Sequence, residues 1–273
     1  MRSLLLVRSL LPAVLFPAVA CGRVGFGGDA QDAHDAHDAH DAAPPTYVDA
    51  VLAHGPYAYY RLGDPQGTVA RDSGGAQRDA VIISIDGTVV HGRAGALTAD
   101  GDAALQLSAL GNFGDGDAAY VRMSDVWPMW ASDFTLEAFV RPLAPPPANW
   151  RHSLWVCENY ANNGLRTGWN DNWFPMVWTD ESGAAGQYVG AIAITPDAWN
   201  HLAIVRRADT IEIYANGVAA GAFAFDYVPP DPTARCAFGA LNGMPSSADI
   251  DEAALYDRAL QADELASHVT AWR

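Results

Sequence analysis

Seven aromatic side chains crowd between residues 150 and 178: Trp150, Trp155, Tyr160, Trp169, Trp173, Phe174 and Trp178. Within that stretch, Trp169-Asn170-Asp171-Asn172-Trp173 reads as a hairpin tip. A three-residue turn leaves Trp169 and Trp173 as cross-strand neighbours on one face. Apolar sugar faces stack on such rings, and Asn and Asp side chains take the hydroxyls. Tyr160, Trp169, Asn170, Asp171 and Trp173 are therefore the candidate ligand-binding residues, for a glycan or a surface protein. The same rings can instead fill a core or cover a sheet face, and strand register, which decides the matter, is not set by the sequence.

The first 22 residues carry an address. Arg2 and Arg8 precede an apolar run from Leu10 to Ala20, with small Ala18 and Ala20 before Cys21. These are the parts of a secretory signal. Ala18-Val19-Ala20-Cys21 resembles a bacterial lipoprotein lipobox, with Ala18 where Leu is commonest. The resemblance implies cleavage after residue 20 and acylation of Cys21. Each buried acyl CH₂ contributes ~0.8 kcal/mol, so a multiply acylated cysteine holds to a membrane. The expected location is the bacterial cell envelope, at the outer membrane or cell surface. The apolar run is far short of the ~20 residues needed to span a bilayer.

Residues 21–45 are a different material. A glycine-rich start leads into three Asp-Ala-His repeats and Pro44-Pro45, with no large apolar residue after Gly27. Such a segment cannot build a core, and a disordered tether is expected. In an extended chain His34, His37 and His40 stand ~9 Å apart, too far to share one ion. The chain has 32 acidic residues against 16 basic ones, all of them Arg, and a net charge of −16. That balance argues against nucleic acid or anionic lipid held by a basic patch. With Cys21 acylated, Cys157 and Cys236 form the remaining pair, and an exported protein favours a disulfide between them.

From Thr46 to the C-terminus the texture is globular. Thr46 is a candidate N-cap for a short helix ended by Gly55-Pro56. Short alternating segments follow: 80–85, 119–123, 134–140, 153–157, 187–194, 201–206, 211–214 and 250–256 read as strands. Asn216-Gly217 turns the chain after one of them. In DFTLEAFVRP (133–142), Phe134, Leu136, Ala138 and Val140 share one face, and Thr135, Glu137, Phe139 and Arg141 the other. Leu260, Leu265 and Val269 have roughly helical spacing near the end. The expected fold is all-β, a two-sheet antiparallel sandwich with a short C-terminal helix.

Four segments in order resemble the laminin G-like members of the concanavalin A-like lectin/glucanase superfamily. They are YAYYRLGD (57–64), DFTLEAFVRP (133–142), WNHLAIVRRADTIEIYANGV (199–218) and DIDEAALYDRALQADELASHV (249–269). Tyr60 and Phe139 stand where the family usually has tryptophan. The resemblance implies a jelly roll over 46–273. It also implies a structural Ca²⁺ at Asp72, in the RDSGG loop, together with Asp251. Ca²⁺ takes six to eight oxygens. Asp100, Asp102, Asp115 and Asp117 are further acidic turns.

Laminarinase-type hydrolases of the same superfamily carry two glutamates flanking an aspartate on one strand. Retaining hydrolysis needs two carboxyl groups ~5 Å apart. The nearest match is DIDEA (249–253). Period-two alternation puts Asp249 and Asp251 on one face, but the next position is Ala253, and Glu252 is expected to point away. GxSxG, HExxH and phosphate-loop patterns are absent. The chain is therefore expected not to be an enzyme but a membrane-anchored recognition module. The alternatives are a glycosidase with an unrecognised site and a structural envelope protein.

Overall fold

The computed structural model describes residues 45–85, 87–98, 101–109, 119–123, 132–143, 151–158, 163–180, 186–225, 235–239 and 246–273. The chain divides into two units, Met1–Ala43 and Pro44–Arg273. The signal, Cys21 and the repeats lie outside the described residues.

Among the described residues the domain is made of two eight-stranded sheets. The first runs β14 (Val218–Ala224), β13 (Thr210–Ala215), β12 (Asn200–Arg207), β7 (Phe134–Pro142), β16 (Ser246–Tyr256), β5 (Ala103–Ala109) and β4 (Thr88–Ala94), with β1 (Ala58–Tyr60) also on β16. The second runs β11 (Gln187–Val189), β10 (Pro175–Asp180), β9 (Asn163–Asn170), β8 (Arg151–Glu158), β15 (Arg235–Gly239), β6 (Ala119–Met123), β3 (Ala80–Ser84) and β2 (Val69–Ala70). Their pairings are antiparallel. Among the described residues two helices accompany them, α1 (Tyr47–Ala53) and α2 (Ala262–Trp272). This is a jelly-roll sandwich.

Alternation explains both layers of packing. Phe134, Leu136, Ala138 and Val140 of β7 enter the main core between the sheets, with Leu202 and Ile204 of β12 and Trp155 and Phe238 from the other sheet. The opposite face of β7 is also covered at Thr135, Glu137 and Phe139. Phe139 lies with Val205, Tyr256, Tyr47, Val51 and Leu265 in a second cluster, so the two helices cover the outer face of the first sheet. α1 opens on a capping box in which Thr46 Oγ1 accepts from Asp49 N–H, and the Asp49 carboxylate accepts from Thr46 N–H. A seven-residue helix is marginal alone, so it depends on this docking. Asn216 and Gly217 both have positive φ, 52° and 77°, as the tight turn between β13 and β14 requires.

Cys157 and Cys236 stand directly opposite on β8 and β15, both buried, and are joined in a disulfide with Cα atoms 4.1 Å apart. The segment 187–194 departs from the expected single strand. β11 ends at Val189; Gly190 N–H still donates to Pro175 O, and Ala191 N–H then donates to Ala220 O of β14. The chain leaves one sheet and bonds to the other, which ends the period-two pattern there.

Candidate functional site

The hairpin between β9 and β10 carries the aromatic candidates Trp169 and Trp173. Trp169 pairs with Pro175, not with Trp173. The turn is longer than the sequence suggests, and the expected cross-strand tryptophan pair is not formed. Trp169 is fully buried in the main core, with its ring 5.3 Å from that of His152. It is a core residue and not an open platform. Trp173 is different. It is part-buried against the edge of the core, and its backbone takes φ = 66°. A bulky residue in the left-handed region is an outlier, and such strain persists only where the surroundings enforce it. Here Trp173 N–H donates to Asn170 O, and Trp173 O accepts from Ile194 N–H.

The Asn170 carboxamide builds the tip. Its Oδ1 accepts from Asn172 N–H and Phe174 N–H, both at 3.0 Å. Asn172 is exposed, and its Nδ2 donates to Asp171 Oδ1 at 2.9 Å. The tip therefore presents Trp173, Asp171 and Asn172 on a turn stiffened by Asn170. Tyr160 and Trp150 lie outside the described residues.

Trp178 falls on neither side of the hairpin tip but on the outer face of the second sheet. A lateral row crosses that face: Val81, Arg122, Ala237, Val156, Arg166, Trp178 and Gln187 pair in succession through β3, β6, β15, β8, β9, β10 and β11. The Arg151 guanidinium lies 5.5 Å from the Trp178 ring centre, within cation–π range. Trp178 and Arg166 are fully buried, so the middle of the row is covered.

The third arrangement is acidic. Oxygens of Asp102, Asp251 and Glu252 all lie within 4.8 Å of one another. Glu252 does not point away from Asp251. A bulge between Asp251 and Ala254 breaks the alternation of β16, and Glu252 takes φ = 52°, so two consecutive carboxyl groups meet on one side. Asp251 Oδ2 accepts from Ala96 N–H at 2.7 Å, and its Oδ1 accepts from Glu252 N–H at 3.0 Å. Glu252 Oε2 accepts from the Tyr59 hydroxyl, and Oε1 accepts from Arg61 Nε at 3.2 Å. Arg61 Nη2 also donates to Asp102 Oδ2 at 2.5 Å. Burial pushes the Asp251 carboxyl up to about 8, and burial pushes Glu252 up to about 9.

Asp72 is not part of this group among the described residues. Its Oδ1 accepts from Tyr59 N–H and Gly74 N–H, and its Oδ2 from Arg78 N–H. It ties the 72–78 loop to β1, and the carboxyl groups gathered with Asp251 are those of Asp102 and Glu252. Three carboxyl groups at this spacing fit a hard cation by donor type. They fit it only with their protons lost and with Arg61 sharing the space. A cleft of about 160 Å³ opens beside them, lined by Arg61, Asp64, Arg71, Ser73 and Asp102 but not by Asp251 or Glu252. The remaining acid of DIDEA, Asp249, is buried and bound by Arg141 and Arg93. Sequence reasoning placed Asp102 among ordinary turns and aimed Glu252 the wrong way. A bulge leaves no periodic signal by which to find either.

Comparison with known proteins places the fold. Trypanosoma rangeli sialidase in complex with sialic acid is similar over 84% of this chain and 33% of the sialidase, at 15% identity and TM-score 0.57. The binding domain of Paraclostridial Mosquitocidal Protein 1 is similar over 78% of this chain and 51% of that one, at 14% identity and TM-score 0.57. The binding domain of Botulinum neurotoxin DC, in complex with rat synaptotagmin II, is similar over 81% and 52%, at 11% identity and TM-score 0.58. The chain thus spans a third to a half of the structures it resembles, and at these identities the likeness is one of fold. No curated protein matches the sequence. A laminin G model of the Concanavalin A-like lectin/glucanases superfamily matches residues 113–266. With more than half of its length so matched, the chain belongs to the laminin G-like family of the Concanavalin A-like lectin/glucanases superfamily.

Proposed function

We propose that this protein is a membrane-anchored lipoprotein whose jelly roll serves non-catalytic recognition of a glycan or a surface protein. The observation that carries the reading is Trp173, a part-buried indole held in left-handed backbone at a turn of Asn170, Asp171 and Asn172. A flat apolar ring beside a carboxylate and a carboxamide suits the mixed surface of a sugar. The similar structures support the class of activity: one is in complex with sialic acid, one with synaptotagmin II, and two are binding domains. The acid groups support the non-catalytic part. Asp249 is bound by two arginines, and Asp251 and Glu252 do not line the neighbouring cleft. A nucleophile–acid pair must face substrate.

A glycan array probed with the full chain and with Trp173→Ala tests the proposal. Binding lost in the variant supports the tip as the ligand site. Release of reducing sugar from β-glucans overturns the non-catalytic reading, and silence on glycans and envelope proteins alike favours a structural role. Anchoring is tested separately: Cys21→Ser should move the protein from the membrane fraction to the soluble one.

A further inference from the structure

Under the two helices lies a buried polar chain that the recognition site does not use. Glu137 of β7 is fully buried. Its Oε1 accepts from the Tyr256 hydroxyl at 2.7 Å. Its Oε2 meets His201 Nε2 of β12 and His268 Nδ1 of α2, each at 3.0 Å. The far nitrogen of His268, Nε2, meets His54 Nδ1 at 2.7 Å. His54 is the C-cap of α1 and is part-exposed, with Nε2 3.8 Å from Glu264 Oε1. The chain therefore runs from the sheet, through the C-terminal helix, to the N-terminal helix and solvent.

Proton counting along this chain has one outcome. A carboxylate offers only lone pairs, so His201 Nε2 and His268 Nδ1 both carry protons toward Glu137. Burial alone raises the Glu137 carboxyl, but the charge and hydrogen bonds of the two histidines outweigh it and hold the group well below the usual range. His268 then has Nε2 left for His54. One proton fits between Nε2 and Nδ1, whichever ring owns it. Two do not, because both rings would be donors facing each other at 2.7 Å. The contact thus tolerates a neutral or a singly charged pair and excludes a doubly charged one.

We propose that the His54–His268 contact is an acid-sensitive latch that holds the N-terminal helix on the domain and opens when both imidazoles are charged. The surrounding charges set its balance. Glu264 of α2 favours a charged His54; Arg258, after β16, opposes it while donating to His54 O at 3.1 Å. Burial, then His268, lowers the His54 value. Glu137 and Tyr256 face His268 from the sheet, His201 shares the same Glu137 oxygen, and Tyr47 faces His268 from α1 with its ring 6.0 Å away. α1 is the element free to respond, because seven residues make a marginal helix and local opening costs less than global unfolding.

Hydrogen exchange on the full chain, from about pH 7.5 to about pH 5, corrected for intrinsic rates, tests the latch. Protection of α1 amides should fall by about tenfold per pH unit once the second proton is demanded, while β7 and β12 stay protected. His54→Gln keeps a donor for His268 but does not titrate, so its α1 should show no such fall. An equal fall in the variant, or none in the wild type, overturns the proposal. Histidine-ring NMR of the wild type is a second readout that needs no variant. The latch requires two separated proton steps for the pair, and a single ordinary titration of His54 contradicts it.

Discussion

Asp251 and Glu252 are consecutive residues of one strand, yet their carboxyl groups lie together on the same side of it. The left-handed backbone at Glu252 and the bulge that follows turn the second side chain back beside the first. Both are fully buried, and burial raises both groups into the alkaline range.

That rise has a sign. Each group binds its proton in the folded state at a pH where the unfolded chain has lost it. The stabilisation is full below the unfolded value of 4.5 for Glu252, and it drains away as pH climbs toward about 9. Denaturant midpoints should therefore decline from acid toward alkaline pH. Glu252→Gln, which stays neutral, should flatten the decline. A variant as pH-dependent as the wild type would show that Arg61 already holds Glu252 ionised.

Calcium should compete with those protons. If Asp102, Asp251 and Glu252 take a cation, added Ca²⁺ should raise the melting temperature more at about pH 8 than at about pH 6, because the carboxyl groups must ionise to bind. At a hundredfold excess over Kd the gain is about 2.7 kcal/mol. Asp102→Asn should abolish it, whereas Asp72→Asn should leave it and instead loosen the 72–78 loop. No calcium effect at either pH would leave the cluster as a structural network closed by Arg61.

Two tryptophans of the same hairpin should behave differently. Trp169→Ala empties a fully buried site and should cost ~3–5 kcal/mol in a chemical melt. Trp173→Ala removes a part-buried ring and should cost less, about 1 kcal/mol, while eliminating ligand binding. Trp173→Gly should be more stable than Trp173→Ala by ~1 kcal/mol, since glycine takes positive φ without strain. The reverse order would mean the left-handed backbone at 173 is not strained.

The Cys157–Cys236 bond joins residues 79 positions apart on two central strands of the second sheet. Non-reducing peptide mapping should recover the two cysteines linked. Reduction should cost ~2–5 kcal/mol of stability, read as a lower denaturation midpoint with dithiothreitol. Free alkylation of both thiols without reductant would remove the bond from the account.

The sequence alone determined what depends on local period and local chemistry. Alternation in DFTLEAFVRP sorted Phe134, Leu136, Ala138 and Val140 to the core, because successive side chains in a strand must face opposite ways. Thr46 with Asp49 marked a helix start, Asn216-Gly217 marked a hairpin, and segment order gave the jelly roll. Tertiary structure decided what depends on register and on breaks in that period. Trp169 pairs with Pro175 and sinks into the core, a matter of one turn's length. Glu252 joins Asp251 through a single bulge. His201 and His268 meet at Glu137, and His54 joins them through His268, although residues 54 and 268 are 214 positions apart. A repeat of two or three and a half residues encodes the faces of an element. It carries no information about where that repeat slips or which distant element covers a face, and those are settled only when the sheets and helices pack.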